Sequence, residues 1–171
     1  DTWKTGEGTE ITVDEVIEEF NKNRAFYEKG GITVSGGEPL LQLPFITELF
    51  KKCKEENIHT CIDTSGITYT KGKEYIEQLD ILLNYTDLVM LDIKHIESES
   101  HKALTGHKNE NILAFAKHLE ERNIPIWVRH VVVEGYTDKK EDLIKLGEFI
   151  GKLRNLKGLD VLPYHTMGVN K

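Results

Sequence analysis

Ile32-Thr33-Val34-Ser35-Gly36-Gly37-Glu38-Pro39 is the stretch that decides the fold. Its β-branched residues predict a buried strand, and the two glycines that follow leave the backbone bare where the strand meets its loop. Glu38 adds a negative charge at that bare edge. The stretch therefore predicts a strand end that binds a small cationic group, such as an ammonium, through backbone carbonyls and one carboxylate.

The same pattern of strand and loop recurs along the chain, with helical patterns between the strands. Further strands are predicted at 58–63, 88–94, 126–133 and 158–162, and helices at 12–29, 44–56, 74–83, 111–122 and 140–153. The first helix begins at Thr12-Val13-Asp14-Glu15, which resembles a capping box. A polar stretch around 97–99 is predicted to be a solvated loop. This alternation favours an α/β fold with parallel strands, in a curling barrel or an open sheet.

Composition narrows the class of protein. With 171 residues, 39% of them hydrophobic, the chain can bury one core, so residues 1–171 are predicted to form a single domain. A net charge of −7 without a basic stripe argues against nucleic acid as a partner. No apolar run approaches the roughly 20 residues that span a bilayer, which argues against a membrane. Two cysteines, Cys53 and Cys61, are too few for a disulfide framework, so we expect reduced thiols, Cys61 in the core, and a cytoplasmic protein.

Polar residues fall at the predicted strand ends, where α/β folds carry their chemistry. Side chains alternate along a strand, so Asp92 and Lys94 share one face while Val89, Leu91 and Ile93 share the other. The same rule places Arg129 among those charges. Because buried charges need partners and no fixed ion pair is evident from the sequence, we expect a polar ligand between them.

Less specific readings stay open. A lone Gly-Gly-Glu is typical of a turn, residues 63–66 suit an Asx turn equally well, and Arg129 could serve only an ion pair. Lys94 beside Asp92 is also what a Schiff-base aldolase needs. A third class is a non-catalytic scaffold that binds a nucleoside or a partner protein. The remaining histidines considered, His59, His101, His107 and His118, lack the spacing of metal ligands.

Four ordered motifs carry a more specific resemblance. They are VSGGEPLLQ at 34–42, HTCIDTSG at 59–66, TDLVMLDIK at 86–94 and LPYH at 162–165, and the opening Asp1-Thr2-Trp3 fits the same pattern. Together these motifs resemble the pyruvate formate-lyase activating enzymes, which are glycyl-radical activases of the radical S-adenosylmethionine superfamily. The resemblance covers nearly the whole chain.

The resemblance implies a partial (β/α)6 TIM-like barrel with its helices outside, a 4Fe-4S cluster, and S-adenosylmethionine cleaved to a 5′-deoxyadenosyl radical. The radical would abstract hydrogen from a glycine of the partner, a glycyl-radical enzyme for which pyruvate formate-lyase is the favoured choice. A flavodoxin or ferredoxin would donate the electron. Cofactor contacts would come from Gly36, Gly37, Glu38, Asp92, Lys94, Arg129, Val131, Leu162 and His165. A monovalent cation would bind Asp63, Thr64, the Met90 carbonyl and Asp92.

One departure from the family pattern concerns the cluster. The family binds it through CxxxCxxC, and Cys53 and Cys61 lie eight residues apart with no third cysteine. Thiolates are the usual cluster ligands, so we expect this chain to assemble no cluster and to be inactive by itself. We interpret the chain as a fragment, truncated at both ends, without the first barrel strand. The strand at 31–35 would then be an exposed edge that favours self-association.

Overall fold

The computed structural model describes residues 9–27 and 30–164. The helices are α1 (Val13–Lys22), α2 (Leu43–Glu55), α3 (Lys73–Leu83), α4 (Ser98–Thr105), α5 (Glu110–Glu121) and α6 (Lys140–Ile150). The strands are β1 (Gly31–Val34), β2 (His59–Thr64), β3 (Leu88–Asp92), β4 (Ile126–Val132) and β5 (Leu156–Pro163). Short 3₁₀ turns cover Arg24–Phe26 and Pro39–Gln42. All five predicted strands are present.

The strands form one parallel sheet in the order β1-β2-β3-β4-β5. Each strand after β1 is hydrogen-bonded to the strand before it in the chain, and a helix lies in every connection between strands. The register places Asp92 of β3 opposite Arg129 of β4. Because all strands run the same way, their carboxyl ends meet at one edge. The α/β class with parallel strands is therefore confirmed.

The two faces of the sheet differ as the alternation predicts. Val89, Leu91 and Ile93 are completely buried, and together with Ile126 and Val128 they form the face that the helices cover. Burying such aliphatic side chains contributes about 1.5–3 kcal/mol each relative to leaving them exposed. The opposite face carries the half-buried polar side chains of the strand ends. The hydrophobic core thus packs against one face of the sheet, and the polar side chains lie on the other face.

Two local predictions differ from the structure, and one is confirmed. The capping box is present, since Thr12 and Glu15 exchange both hydrogen bonds at the start of α1. That helix ends at Lys22 rather than Lys29, and a 3₁₀ turn follows it. The predicted solvated loop was wrong, because Glu97 precedes a two-turn helix, α4. Only His101 of α4 is buried, so the helix lacks the apolar periodicity that would have revealed it.

The sheet ends in two open strands within the described ranges. β1 pairs only with β2 and β5 only with β4 there, so each leaves unpaired backbone groups at its outer side. Self-association through β1 stays a prediction. Across the same ranges, none of the helices combines the length and the apolar character that a membrane span requires.

Candidate functional site

A cavity of about 530 Å³ opens at the carboxyl ends of β1, β2 and β3, beside Arg129 in the middle of β4. Its walls include the loop at 36–38, the pair Asp63 and Thr64, and the charged side chains of Asp92, Lys94 and Arg129. Ligand pockets for small molecules usually have volumes of about 300–1,000 Å³. The strand-end residues that the sequence predicted as a site are therefore brought together in a space of suitable size.

Glu38 connects the loops that follow β1 and β2. Its Oε1 accepts hydrogen bonds from the Thr64 hydroxyl at 2.5 Å and from the Leu40 N–H at 3.2 Å. Its Oε2 accepts from the hydroxyl of Ser65 at 2.7 Å and from the N–H of Ser65 at 3.2 Å. A carboxylate offers about four acceptor positions, so these contacts use the full set. The carboxylate is therefore fixed by the protein rather than free at a bare edge.

The glycines before Glu38 have the backbone conformation that makes glycine necessary. Gly36 has φ +85° and Gly37 has φ +47°, in the left-handed region that side chains with a Cβ rarely adopt. A Cβ at Gly36 would meet no atom within 4 Å, so space is not the constraint there. The two left-handed residues turn the chain sharply out of β1, which leaves their backbone exposed at the cavity.

Arg129 joins two carboxylates across three strands. Its Nε donates to Asp92 Oδ1 at 3.0 Å, and its Nη2 donates to Asp63 Oδ1. The other oxygen of Asp92 accepts from Lys94 Nζ at 2.8 Å. The expectation that no fixed ion pair exists was wrong, because the parallel register brings β2, β3 and β4 side chains of opposite charge to the same edge. The network nevertheless leaves Lys94 38% exposed toward the cavity.

The other predicted cofactor residues lie further along β4 and β5. Val131 is half-buried and stands opposite Leu162, which is 40% exposed, in the β4–β5 register. Both are on the same face of the sheet as Arg129, and neither contributes to the cavity wall. The prediction for His165 lies outside the described residues. The roles of these three residues stay predictions.

The predicted cation ligands are also close in the sheet. Met90 is in register with Asp63 and lies two residues before Asp92 on the same face. Thr64 is buried, and its hydroxyl donates to Glu38 while accepting from the Gly66 N–H at 2.9 Å. The described residues contain no cluster of three or more histidine, cysteine or carboxylate side chains suited to a metal ion. A cation site built from carbonyl and hydroxyl oxygens as well as carboxylates stays a prediction.

The two cysteines do not fit an iron-sulfur cluster. Cys53 lies on α2 and is completely buried, and Cys61 lies on β2 with 5% exposure. Burial raises the pKa of Cys53 to about 11 and raises the pKa of Cys61 as well. A cluster needs deprotonated thiolates, usually four for each cluster or three with one open iron. The prediction that Cys61 is a core residue agrees with its burial.

Sequence reasoning missed the residues that α4 and its following turn bring to the cavity. His101, Thr105 and His107 form part of its wall. Nδ1 of His101 lies 2.6 Å from the His107 carbonyl oxygen. This contact spans the turn at Gly106, which has φ +84°. A left-handed glycine after a polar helix was the one available signal. Nothing in the sequence indicated that Ser65, in a predicted turn, donates hydrogen bonds to Glu38.

Comparison with known proteins identifies the class to which this fold and site belong. The model of the Radical SAM superfamily matches residues 1–147. The chain therefore belongs to the radical SAM superfamily. Membership implies S-adenosylmethionine and a 4Fe-4S cluster as the cofactors of the family. The strand-end cavity fits the first of these by size and charge, whereas the buried cysteines do not fit the second.

Within the superfamily the chain lies with the pyruvate formate-lyase-activating enzymes. It is 49% identical over 174 residues to the "Pyruvate formate-lyase-activating enzyme" of Staphylococcus epidermidis, covering 100% of this chain and 69% of that protein. The Staphylococcus aureus protein of the same name is 48% identical with the same coverage. This identity over the whole chain makes it a member of that family.

Solved structures agree with this assignment. A domain of the pyruvate-formate lyase-activating enzyme from Bacteroides vulgatus superposes with a TM-score of 0.71 at 29% identity, over 80% of this chain and 82% of that one. Streptococcus suis SuiB, in a structure bound to S-adenosylmethionine, gives a TM-score of 0.73 at 19% identity, over 94% of this chain and 36% of that one. The second likeness shows the fold alone, and both support the partial radical SAM barrel.

Proposed function

We propose that this chain is the S-adenosylmethionine-binding core of an activase that installs a glycyl radical on pyruvate formate-lyase. The observation that carries the proposal is the distribution of charge around the strand-end cavity. Glu38 places a carboxylate beside the glycine loop after β1, and Lys94 and Arg129 place cations at β3 and β4, where they pair with Asp92 and Asp63. The methionine part of S-adenosylmethionine carries an ammonium and a carboxylate, which match the glycine loop and the partly exposed Lys94 respectively.

The glycine loop is the proposed binding site of the ammonium group. Because Glu38 uses its acceptor positions within the protein, it acts on the ligand mainly through its charge and by holding the loop in place. The carbonyls of Gly36 and Gly37 then make the direct contacts. Acceptors preorganised in this way lose less conformational entropy on binding.

The opposite side of the cavity is the proposed site of the carboxylate and the nucleoside. Lys94 presents an ammonium that is 38% exposed, and it would bind the ligand carboxylate while keeping its contact with Asp92. The side chain of Asp92 would accept from ribose hydroxyls. Val131 and Leu162 would contact the adenine, and His165 is proposed as a further residue near the cofactor. A monovalent cation beside Asp63, Thr64, Met90 and Asp92 would complete the site.

The proposed partners follow from the relatives rather than from a described surface. The relatives' printed name supports pyruvate formate-lyase as the protein acted upon. The electron donor is proposed to be a flavodoxin or a ferredoxin, and the location the cytoplasm. The contribution of this chain's own residues is to bind and orient S-adenosylmethionine.

The two alternative classes gain no support from the structure. A Schiff-base lysine is activated by desolvation or by a neighbouring cation. Lys94 is instead paired with the carboxylate of Asp92 and is more than one-third exposed. A scaffold without chemistry would need the same cavity but not the charges on its two sides. Family membership supports the activase.

Calorimetric titration of S-adenosylmethionine into the purified chain tests the proposal. Lys94→Met removes the proposed carboxylate contact, and Lys51→Met, at an exposed lysine on α2, is the matched control. We expect binding by the wild-type chain and by the control, and a loss of about tenfold in affinity, which is ~1.4 kcal/mol, in Lys94→Met. Absence of binding by the wild-type chain, or equal affinity of the two variants, would contradict the proposal.

A further inference from the structure

The two peptide groups that flank the Ile93 Cα are both held by residues of β4. The N–H of Ile93 donates to the Arg129 carbonyl at 3.0 Å. The carbonyl of Ile93 lies 2.7 Å from Nδ1 of the His130 side chain. The β3–β4 register ends at the Asp92–Arg129 pair, so this carbonyl lies just beyond the last residue of the strand. An imidazole therefore fixes the backbone at the point where the regular strand ends.

The His130 ring is itself held in a closed position. Its residue is 3% exposed, and it lies on the helix-covered face of β4, among His95, Thr137, Asp142 and other side chains of α6 and the preceding loop. A carbonyl oxygen can only accept, so Nδ1 must carry a proton. The other ring nitrogen, Nε2, is buried and has no hydrogen-bond partner among the described residues.

We propose that His130 is a positioning residue for Asp92 and Lys94, acting through the Ile93 carbonyl. The inference rests on the proposed function, in which these two side chains contact S-adenosylmethionine. The Ile93–Lys94 peptide, whose carbonyl His130 holds, sets the direction of Lys94 relative to Asp92, so its rotation would change how the two charged side chains face each other. The Asp92–Ile93 peptide is bonded to β4 through its N–H and the Ile93–Lys94 peptide through its carbonyl, so rotation of either group breaks a hydrogen bond. The Lys94–Asp92 pair at 2.8 Å therefore keeps its orientation toward the cavity.

A purely structural role would have a different signature. If the imidazole only satisfied a buried carbonyl, its loss would lower the stability of the fold and leave the native site unchanged. If the imidazole positions the site, its loss also changes the environment of Lys94 in molecules that remain folded. The test must therefore measure Lys94 directly rather than the melting temperature.

Two substitutions separate the ring nitrogens. His130→Asn places an amide N–H at the position of Nδ1 and keeps the donor to Ile93. His130→Gln places its amide at the position of Nε2 and loses that donor. We expect reductive methylation of Lys94, quantified by mass spectrometry against the 91%-exposed Lys73, to proceed at the wild-type rate in His130→Asn. In His130→Gln we expect it to be about threefold faster, as the ion pair with Asp92 loosens. Equal Lys94 rates in all three proteins would overturn the inference.

Titration of S-adenosylmethionine into the same proteins separates this inference from the proposed function. We expect His130→Asn to bind like the wild-type chain and His130→Gln to bind about fivefold more weakly. If Lys94→Met weakens binding but the two His130 variants bind alike, the positioning role is wrong and the proposed function stands. If the wild-type chain does not bind, the proposed function fails, and the Lys94 methylation rates still decide the positioning role.

A measurement on the wild-type chain covers the case in which a variant does not fold. Nitrogen-15 NMR of the histidine side chains reports which ring nitrogen carries the proton. We expect His130 to be protonated at Nδ1, with a scalar coupling across the hydrogen bond to the Ile93 carbonyl. Protonation at Nε2 alone would contradict the proposed contact and overturn the inference.

Discussion

Glu38 and Ser65 join the two loops that form one wall of the cavity. One oxygen of the carboxylate accepts both the hydroxyl and the N–H of Ser65, at 2.7 and 3.2 Å, from a residue 27 positions further along the chain. Because these donors meet a full negative charge, each bond is stronger than a neutral one. The position of the glycine loop before Glu38 therefore depends on β2 as much as on β1.

Glu38→Gln should weaken this connection. A glutamine has an NH₂ group in place of one carboxylate oxygen, and this group cannot accept a hydrogen bond. The two donors that contact that oxygen therefore lose their acceptor. We expect the free energy of unfolding to fall by about 2 kcal/mol, measured by urea denaturation. Glu48→Gln, at an exposed position of α2, is the control and should leave it unchanged. Equal stability of the two variants would show that the Ser65 contacts contribute nothing.

Arg129→Met should destabilise the chain through the carboxylates that it leaves behind. The side chains of Arg129, Asp63 and Asp92 are 22%, 21% and 19% exposed, so unpaired charges there remain largely desolvated. We expect a loss of about 2 kcal/mol in the free energy of unfolding, less than for a fully buried pair. A double-mutant cycle with Asp63→Asn should show coupling between the two sites.

The pair of Arg154 with Glu120 provides a control for Arg129 in which the arginine itself is exposed. The Arg154 side chain is 84% exposed, against 22% for Arg129, and an ion pair whose arginine stays in water contributes little. Arg154→Met should therefore leave the unfolding midpoint unchanged. If Arg129→Met also left the unfolding midpoint unchanged, the ion pairs of Arg129 with Asp63 and Asp92 would contribute no more to stability than an exposed ion pair.

Stability should fall in mild acid because of His95. Burial lowers the pKa of the His95 ring, and the nearby His130 and His101 lower it further. Asp142 and Glu97 raise this pKa, but the net shift is downward. The unfolded histidine, with its ordinary pKa near 6.5, then binds a proton more readily than the folded one. Stability that is fully present above about pH 6.5 is therefore lost as the pH falls below it.

His95→Asn tests this pH dependence. The asparagine oxygen takes the position of Nδ1, which accepts from the Glu97 N–H at 3.0 Å, and the residue cannot be protonated. We expect the free energy of unfolding of this variant to fall less steeply than that of the wild-type chain between pH 7 and pH 5, as measured by denaturant titration at each pH. Parallel curves would assign the acid sensitivity to other groups.

Both thiols should be unreactive in the folded chain. Cys53 and Cys61 are buried, and the pKa of Cys53 is raised to about 11, so neither supplies a thiolate at neutral pH. A disulfide reagent should react with them only after denaturation. For the same reason, anaerobic incubation with iron and sulfide should leave no cluster on this chain. Stoichiometric bound iron and sulfide would contradict that expectation.

The sequence predicted the strand ends well and the contacts between them poorly. Alternation along β3 correctly separated Asp92 and Lys94 from Leu91 and Ile93, because a parallel sheet covered on one face imposes that period. It could not show that Arg129 already joins Asp63 to Asp92, since register between strands depends on the packing of the whole sheet. The sequence did not indicate a role for His130, because this residue lies on the helix-covered face of β4, away from the predicted polar site. The helix α4 was not predicted because it has a single buried residue, His101, and therefore no repeating apolar pattern.

Hydrogen exchange of the chain with and without S-adenosylmethionine tests the central claim most directly. The claim is that the strand ends, and no other surface of the described chain, bind this molecule. We predict slower amide exchange in the segments 35–38, 63–66 and 92–95 when the ligand is added, and unchanged exchange in α2. Protection confined to other segments, or no protection at a ligand concentration that saturates the calorimetric signal, would contradict the account.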